Sequence, residues 1–257
     1  MNNLYFAYCQ GDILLTADGN IPEGEPPVEF QPWEHVTSIE NGQLKMGNVR
    51  RSCHIFRLDR PVTDRADLQM VGLRKTFEVL SPEMYQLAGK CAELVYWDQN
   101  SKYCGCCGAP MKWQTEISKQ CTECGKELWP QLQTAIIVRV TRGSEILLVH
   151  ANNFRGNHFG LVAGFVETGE TLEQCVQREV WEETRLRVRN IRYFASQPWP
   201  YPAGLMVGFT AEYDSGELQL QRTELGAGGW FTRDRLPEIP NRSSLARWLI
   251  DDWIGEK

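Results

Sequence analysis

Gly164-Phe165-Val166-Glu167-Thr168-Gly169-Glu170-Thr171-Leu172-Glu173-Gln174-Cys175-Val176-Gln177-Arg178-Glu179-Val180-Trp181-Glu182-Glu183 is the stretch on which the reading of this chain turns. Thr171 can accept a hydrogen bond from the Gln174 backbone while the Gln174 side chain returns one, so a helix should run from Leu172 to about Thr184. At about 100° per residue, Leu172, Cys175, Val176 and Val180 fall on one apolar stripe. Glu179 and Glu183 fall on that same stripe, and Glu182 lies at its edge. A solvated acidic face would lie opposite the apolar residues. Carboxylates gathered where a helix packs are costly unless cations balance them. Divalent metal is the natural partner, and Mg²⁺ favours carboxylate oxygens together with phosphate. Gly164 and Gly169 keep the preceding loop compact and open to a phosphate group.

Strand signals flank this helix. Thr134 to Val140 and Glu145 to His150 precede it; Ile191 to Ser196 and Leu205 to Tyr213 follow, separated by a loop rich in proline and aromatics. Residues 216 to 231 read as strands around a loop, and Gly226, Gly228 and Gly229 suggest a loose segment. A last helix, Ser244 to Ile254, is expected to place Leu245, Trp248, Leu249 and Trp253 on one side. The C-terminal half is therefore a mixed α/β sandwich. Upstream, Ser81 and Pro82 open a helix carrying Met84, Leu87, Cys91, Leu94 and Val95, expected to end near Trp97. Before it, short apolar segments such as Leu4 to Ala7, Ile13 to Leu15 and His54 to Phe56 read as strands, with Gly24 to Pro27 as a loop.

Two C-x2-C pairs, Cys104/Cys107 and Cys121/Cys124, are each trailed by glycine and separated by a hairpin-sized gap. That spacing suits a tetrahedral four-thiolate zinc site. Four protein ligands close the site, so one zinc per chain would be structural. Cys106 should point away from it. Cys9, Cys53, Cys91 and Cys175 read as ordinary core or surface thiols.

The bulk numbers are those of a globular protein. Of 257 residues, 42% are hydrophobic and 23% charged, which predicts about two domains. A net charge of -6 argues against coating nucleic acid by bulk electrostatics. Local phosphate binding stays open, because bound metal can supply the positive charge. The first residues lack a basic segment followed by an apolar core, and no apolar run approaches a membrane span. A cytoplasmic location is the expectation, under which nine cysteines are unlike a disulfide set.

The stretch quoted above resembles the Nudix box, G-x5-E-x7-R-E-U-x-E-E-x-G-U, with U a bulky aliphatic residue. Gly164, Glu170, Arg178, Glu179, Val180, Glu182, Glu183 and Leu186 match it. Arg185 departs, standing where the box has a helix-ending glycine. Ser196-Gln197-Pro198-Trp199-Pro200-Tyr201-Pro202 is similar to the S-Q-P-W-P-F-P motif of NADH pyrophosphatases. Those enzymes also carry a four-cysteine zinc ribbon immediately before the Nudix domain. The resemblance extends from about Arg74 to the C-terminus.

It implies a C-terminal Nudix α/β/α sandwich over 131–257, preceded by a zinc ribbon over 99–130 and a mostly β, α+β N-terminal domain over 1–98. The implied activity is metal-dependent cleavage of NADH or NAD to nicotinamide mononucleotide and AMP, with 5′ NAD-capped RNA as a further substrate. Glu179, Glu183, Glu224 and the Ala163 carbonyl would hold Mg²⁺ or Mn²⁺. Glu182 would assist, and Arg178 would pair with Glu170 or a neighbouring carboxylate. Arg74, Glu116, Trp129, Phe165, Gln197, Pro198, Trp199, Pro200, Tyr201, Pro202, Ala203, Gly204 and Ala246 match substrate-contacting positions. Trp129 replaces a family tyrosine, Gly204 a serine, and Ala227 an acidic residue common among relatives. A homodimer is implied by the same resemblance. Two alternatives are a Nudix hydrolase of another nucleoside diphosphate derivative such as ADP-ribose, and a non-catalytic nucleotide-binding module on the same fold.

Overall fold

The computed structural model describes residues 3–24, 34–39, 52–154 and 156–255. The expected loop at Gly24 to Pro27 lies outside these residues from Glu25 onward. The chain divides into two compact units, 1–131 with 200–203, and 132–199 with 204–257.

In the first unit, β1 (Leu4–Cys9), β2 (Asp12–Thr16), β3 (Glu34–Ile39), β4 (Cys53–Arg57) and β5 (Leu68–Gly72) form one sheet in the order β3-β4-β1-β2-β5. β1 runs parallel to β4 at its centre, and every residue of β1 is buried. The alternation explains this. Leu4, Phe6 and Tyr8 enter one apolar cluster, while Tyr5, Ala7 and Cys9 enter another on the opposite face.

Helix α1 (Pro82–Asn100) packs on the first of these clusters through Leu87, Ala88, Cys91, Leu94 and Val95. Ser81 caps it, its hydroxyl accepting from the Met84 N–H at 3.2 Å. The helix continues three residues past the expected end at Trp97. A tertiary anchor holds this last turn. Lys119, 2% exposed, places its ammonium 2.6 Å from Asp98 Oδ1 and bonds the Ser101 hydroxyl and the carbonyls of Asp98 and Ser101. The same ammonium sits 5.1 Å from the Trp97 ring centroid and 5.2 Å from that of Trp113. Lys119 belongs to the ribbon, whose strands β6 (Met111–Thr115), β7 (Ser118–Cys121) and β8 (Glu127–Leu128) form a three-stranded sheet.

In the second unit, β9 (Gln133–Arg142), β10 (Glu145–Ala151) and β11 (Val162–Phe165) lead to helix α2 (Leu172–Thr184). Then follow β12 (Arg187–Trp199), β13 (Gly204–Ser215), β14 (Leu225–Phe231) and helix α3 (Leu245–Ile254). The sheet order is β12-β13-β9-β10-β14, with β11 pairing β9 and β13 parallel to β9. Alternate residues of β9 serve opposite faces. Ile136, Val138 and Val140 join the cluster around α2, and Ile137 joins the cluster around α3. The sheet is thus sandwiched between the two helices, as the mixed α/β reading requires.

Three further expectations change. The proline-rich loop is shorter than it looked, because Gln197, Pro198 and Trp199 are the end of β12 and only 200–203 leave the sheet. β12 is an edge strand, where proline's missing N–H breaks no ladder. Trp248 is not on the buried side of α3. It is 40% exposed and donates its indole N–H to the Arg242 carbonyl, while Ile250 takes the buried place beside Leu245, Leu249 and Trp253. Gly226, Gly228 and Gly229 lie on β14, with Gly228 and Gly229 paired to β10 and Gly226 at a register shift between Leu225 and Ala227. A Cβ at Gly228 would come within 3.0 Å of Leu220, so that glycine provides close packing rather than looseness.

Candidate active site and metal centre

Helix α2 forms by local rules. The Thr171 hydroxyl accepts from the Gln174 N–H at 3.2 Å and the Gln174 side chain accepts from the Thr171 N–H at 2.8 Å, completing the capping box. Cys175, Val176 and Val180 are fully buried, and Glu179 and Glu183 on the same stripe are 8% and 6% exposed. The carboxylates therefore do point where the helix packs. Glu182, at the edge, and Glu224, from the loop before β14, remain exposed.

Arg178 organises this acidic face. Its guanidinium donates two bonds to Glu170, at 3.0 and 2.7 Å, one to Glu179 at 2.7 Å and one to Glu182 at 3.1 Å. A further bond reaches the Phe165 carbonyl at 2.9 Å, tying the helix to the end of β11. The fork geometry of arginine permits this many directed bonds, and a lysine would not reproduce them. Arg178 and the Glu167 N–H hold the Glu170 carboxyl down to about 2. Glu170 and Arg178 thus brace the loop and helix.

Glu183 has no such relief. Burial, followed by the nearby charges of Glu179, Glu224 and Glu182, pushes its carboxyl up to about 8. Burial also raises Glu179, against the pull of Arg178. Gly164 lies so close to the Glu179 carboxylate that a Cβ there would overlap it, so β11 can cradle this group only with glycine at that position. A backbone edge pressed against crowded, poorly compensated carboxylates is a donor set suited to hard divalent cations. Glu179, Glu183 and Glu224 would hold them, with the neighbouring Ala163 carbonyl available on β11.

The helix exit retains the left-handed geometry that the Nudix-box glycine provides. Arg185 adopts φ 60°, ψ 17°, with its N–H on the Trp181 carbonyl. For a residue with a Cβ this conformation costs about 1 kcal/mol.

The four zinc-type cysteines converge. Their sulfurs all lie within 4.8 Å of one another, with Cys104 to Cys124 at 3.6 Å and Cys107 to Cys121 at 3.4 Å. A disulfide needs about 2.05 Å. Tetrahedral thiolates at about 2.3 Å from zinc stand about 3.8 Å apart, so the set fits that ion. The knuckle backbone already favours thiolate: the N–H groups of Glu123 and Cys124 pull Cys121 down to about 6, and those of Cys107 and Cys106 lower Cys104. Cys106 is exposed and outside the set; Cys9, Cys53, Cys91 and Cys175 are buried and also outside it. Among the described residues, only this cluster gathers its ligand atoms so tightly. Among the described residues the carboxylates do not meet that spacing, and Glu179 is engaged by Arg178.

The remaining expected site residues fall into two groups. In the second unit, Gln197 is buried, donating to the Ser243 carbonyl at 2.8 Å and accepting from the Leu245 N–H at 2.8 Å. Both ends of its amide are spent on the start of α3, beside Ala246. Phe165 is 62% exposed, Pro198 is exposed, Trp199 is half-buried, and Gly204 is buried against the Gln133 and Trp199 carbonyls. In the first unit, Pro200 and Ala203 are buried and Pro202 is exposed. Tyr201 is anchored, its hydroxyl 2.6 Å from that of Tyr85 and its ring 4.5 Å from the Arg74 guanidinium. Burial, then the Tyr85 bond, raises the Tyr201 hydroxyl's pKa. Glu116 lies in the β6–β7 turn, and Trp129 is 51% exposed just after β8. Sequence reasoning missed the Lys119–Asp98 anchor; the only signal was a lysine inside a short strand flanked by cysteine.

The comparisons agree with this geometry. Residues 130–251 match the NUDIX domain family. A protein of Deinococcus radiodurans named NAD-capped RNA hydrolase NudC is 35% identical over 98% of this chain and 88% of its own. A Stutzerimonas stutzeri protein of the same name is 39% identical over 79% of this chain and 74% of its own. One from Pectobacterium carotovorum is 45% identical, over 66% of each chain. The crystal structure of a Nudix hydrolase from Nitrosomonas europaea superposes with a TM-score of 0.50 and 23% identity, over 60% of this chain and 94% of that one, a likeness of fold. The carboxylate helix, glycine cradle and four-sulfur cluster of this sandwich, taken together with these matches, place this chain in the Nudix hydrolase family, among its NudC-type members.

Proposed function

We propose that this chain hydrolyses the pyrophosphate linkage of NADH or NAD, giving a nicotinamide mononucleotide and AMP, and that the same linkage in 5′ NAD-capped RNA is a substrate. The observation that carries the reading is the pair of buried carboxylates on the packing face of α2, with Glu224 close enough to raise Glu183. The names borne by the relatives support the choice of linkage.

Water adds across the P–O–P bond, and each phosphorus leaves as a phosphomonoester. Mg²⁺ or Mn²⁺, when bound, offsets the pyrophosphate charge and activates the water. Glu179, Glu183 and Glu224 would hold the ions through their carboxylates. Arg178 keeps Glu179 and Glu182 oriented and does not touch substrate. Gln197 serves as a positioning residue, fixing the start of α3 and hence the backbone at Ala246. Trp199 and Phe165 offer aromatic surface to a base or nicotinamide ring. The zinc held by Cys104, Cys107, Cys121 and Cys124 is structural, and the protein works in the cytoplasm as a homodimer.

The test is a hydrolysis panel with NADH, NAD, ADP-ribose and NAD-capped RNA, with Mg²⁺ and with Mn²⁺, and identification of both products. Mononucleotide and AMP from NADH are expected. Preferential cleavage of ADP-ribose would move the assignment to a different nucleoside diphosphate derivative, and no metal-dependent cleavage of any member would leave only a binding module.

A further inference from the structure

The Arg185 departure from the Nudix box is one member of a larger group. In a chain of net charge -6, Arg185, Arg187, Arg189 and Arg192 fall within eight residues, and all four are exposed. Leu186 and Val188 between them are 1% and 8% exposed, so Arg185, Arg187 and Arg189 alternate with buried residues, and the register shift of β12 between Arg189 and Arg192 pairs these two with Glu212 and Thr210, two apart on β13. Aromatic surface lies at both ends. Trp181 is 40% exposed, with the Arg187 guanidinium 4.9 Å and the Arg185 guanidinium 5.6 Å from its ring centroid. Tyr193 is 62% exposed.

Local pairing does not account for the group. Arg189 meets Glu212 and Asp214 only at 3.7 Å, with all three side chains well exposed, and such pairs hold little. Charges on an edge strand also deter strand addition. That role covers β12 but not Arg185, which precedes the strand and sits in a left-handed conformation where glycine is cheaper. A residue with a Cβ in this strained conformation directs attention to its side chain.

We propose that Arg185, Arg187, Arg189 and Arg192, with Trp181 and Tyr193, form a binding track for single-stranded RNA leading away from the catalytic helix. The inference rests on the reading of capped RNA as a substrate. Arg185 stands two residues beyond Glu183, so the track begins where the metal-binding face ends. Guanidinium groups match phosphate oxygens in a fork, and exposed rings accept stacked bases of any sequence. Seven residues of strand span about 20 Å, room for several nucleotides. A free dinucleotide has no phosphates beyond its pyrophosphate and gains nothing from the track.

The test compares substrates in the triple variant Arg187→Gln/Arg189→Gln/Arg192→Gln, with the corresponding triple lysine variant as the charge-retaining control. For NAD-capped RNA of about 20 nucleotides at low salt, the glutamine variant should lose on the order of tenfold in kcat/KM, and its salt dependence should flatten by about 0.7 for each phosphate no longer neutralised. NADH hydrolysis should stay within about twofold, and the lysine variant should keep most of the RNA activity. Equal loss on both substrates, or unchanged RNA cleavage, would overturn the track while leaving the dinucleotide chemistry standing. Failure of the wild-type protein to bind a fluorescent oligouridine would also overturn it and turn attention to an acidic protein partner. Wild-type protein that cleaves NADH but not capped RNA removes the track's substrate, and one that cleaves neither removes the reading on which it rests.

Discussion

The four-sulfur cluster and the carboxylate face are both groups of like-charged ligands, yet they are built in opposite ways. The sulfurs come from two tight knuckles 14 to 20 residues apart, already within 4.8 Å of one another; backbone N–H groups lower Cys104 and Cys121, while the crowded neighbouring sulfurs raise Cys107 and Cys124. The carboxylates come from one helix and a distant loop, more loosely spaced, and one is pushed up to about 8 because nothing compensates it. A closed set holds its ion as part of the fold. An open set leaves room for substrate oxygen and solvent. Removing a ligand should therefore cost stability in the first and turnover in the second.

The largest effect should follow from Cys121→Ser. Loss of the zinc should unfold the ribbon and lower Tm by about 10 °C or more, because structural zinc binding is folding free energy. Metal analysis and thermal melting together check this; a zinc-free variant with an unchanged melt would remove the structural role. Glu183→Gln should do the converse. Turnover at saturating Mg²⁺ should fall at least about 100-fold. Tm should hold or rise slightly, since glutamine replaces a buried carboxyl that is costly to ionise among its neighbours. Near-normal turnover in this variant would erase the contrast between the two sites.

Lys119→Met sharpens the comparison from a third direction, because its ammonium stabilises the ribbon's junction with α1 without any metal. Leaving Asp98 buried and unpaired should cost about 3 kcal/mol in chemical denaturation, and adding Asp98→Leu should recover most of it. No recovery would mean that the hydrogen bonds to Ser101 carry the anchor instead. The smallest effect belongs to Arg185→Gly. Relief of the left-handed strain should stabilise the chain by about 1 kcal/mol, with NADH turnover unchanged. Destabilisation would show that the stacking of Arg185 on Trp181 outweighs the strain.

What could be read in the sequence followed the range of the signal. The capping box, the apolar stripe and the misplaced glutamates are all encoded within fourteen residues of α2 and its cap, and the C-x2-C pairs are as local. Their elements appeared where the pattern put them. Glu224 is far from α2 in sequence, and only family resemblance pointed to it. Gln197 lay in the right motif, but its engagement with Ser243 and Leu245 spans 46 and 48 residues, which no local pattern reveals. The extra turn of α1 was missed because its cause, Lys119, lies on another element. Trp248 misled because a large apolar ring can satisfy its N–H at the surface while smaller Ile250 fills the core. The glycines of β14 misled because glycine marks close packing as well as freedom.

The most direct test of the contrast is metal content and activity on one sample. Purified protein is treated briefly with EDTA, freed of chelator, and assayed for bound zinc, for folding, and for NADH hydrolysis with single metals restored. The account predicts one zinc retained per chain, an unchanged melt, no hydrolysis without added metal, and recovery on adding Mg²⁺ or Mn²⁺ alone. Hydrolysis that persists without added divalent ion, or returns only when zinc is supplied, would contradict it.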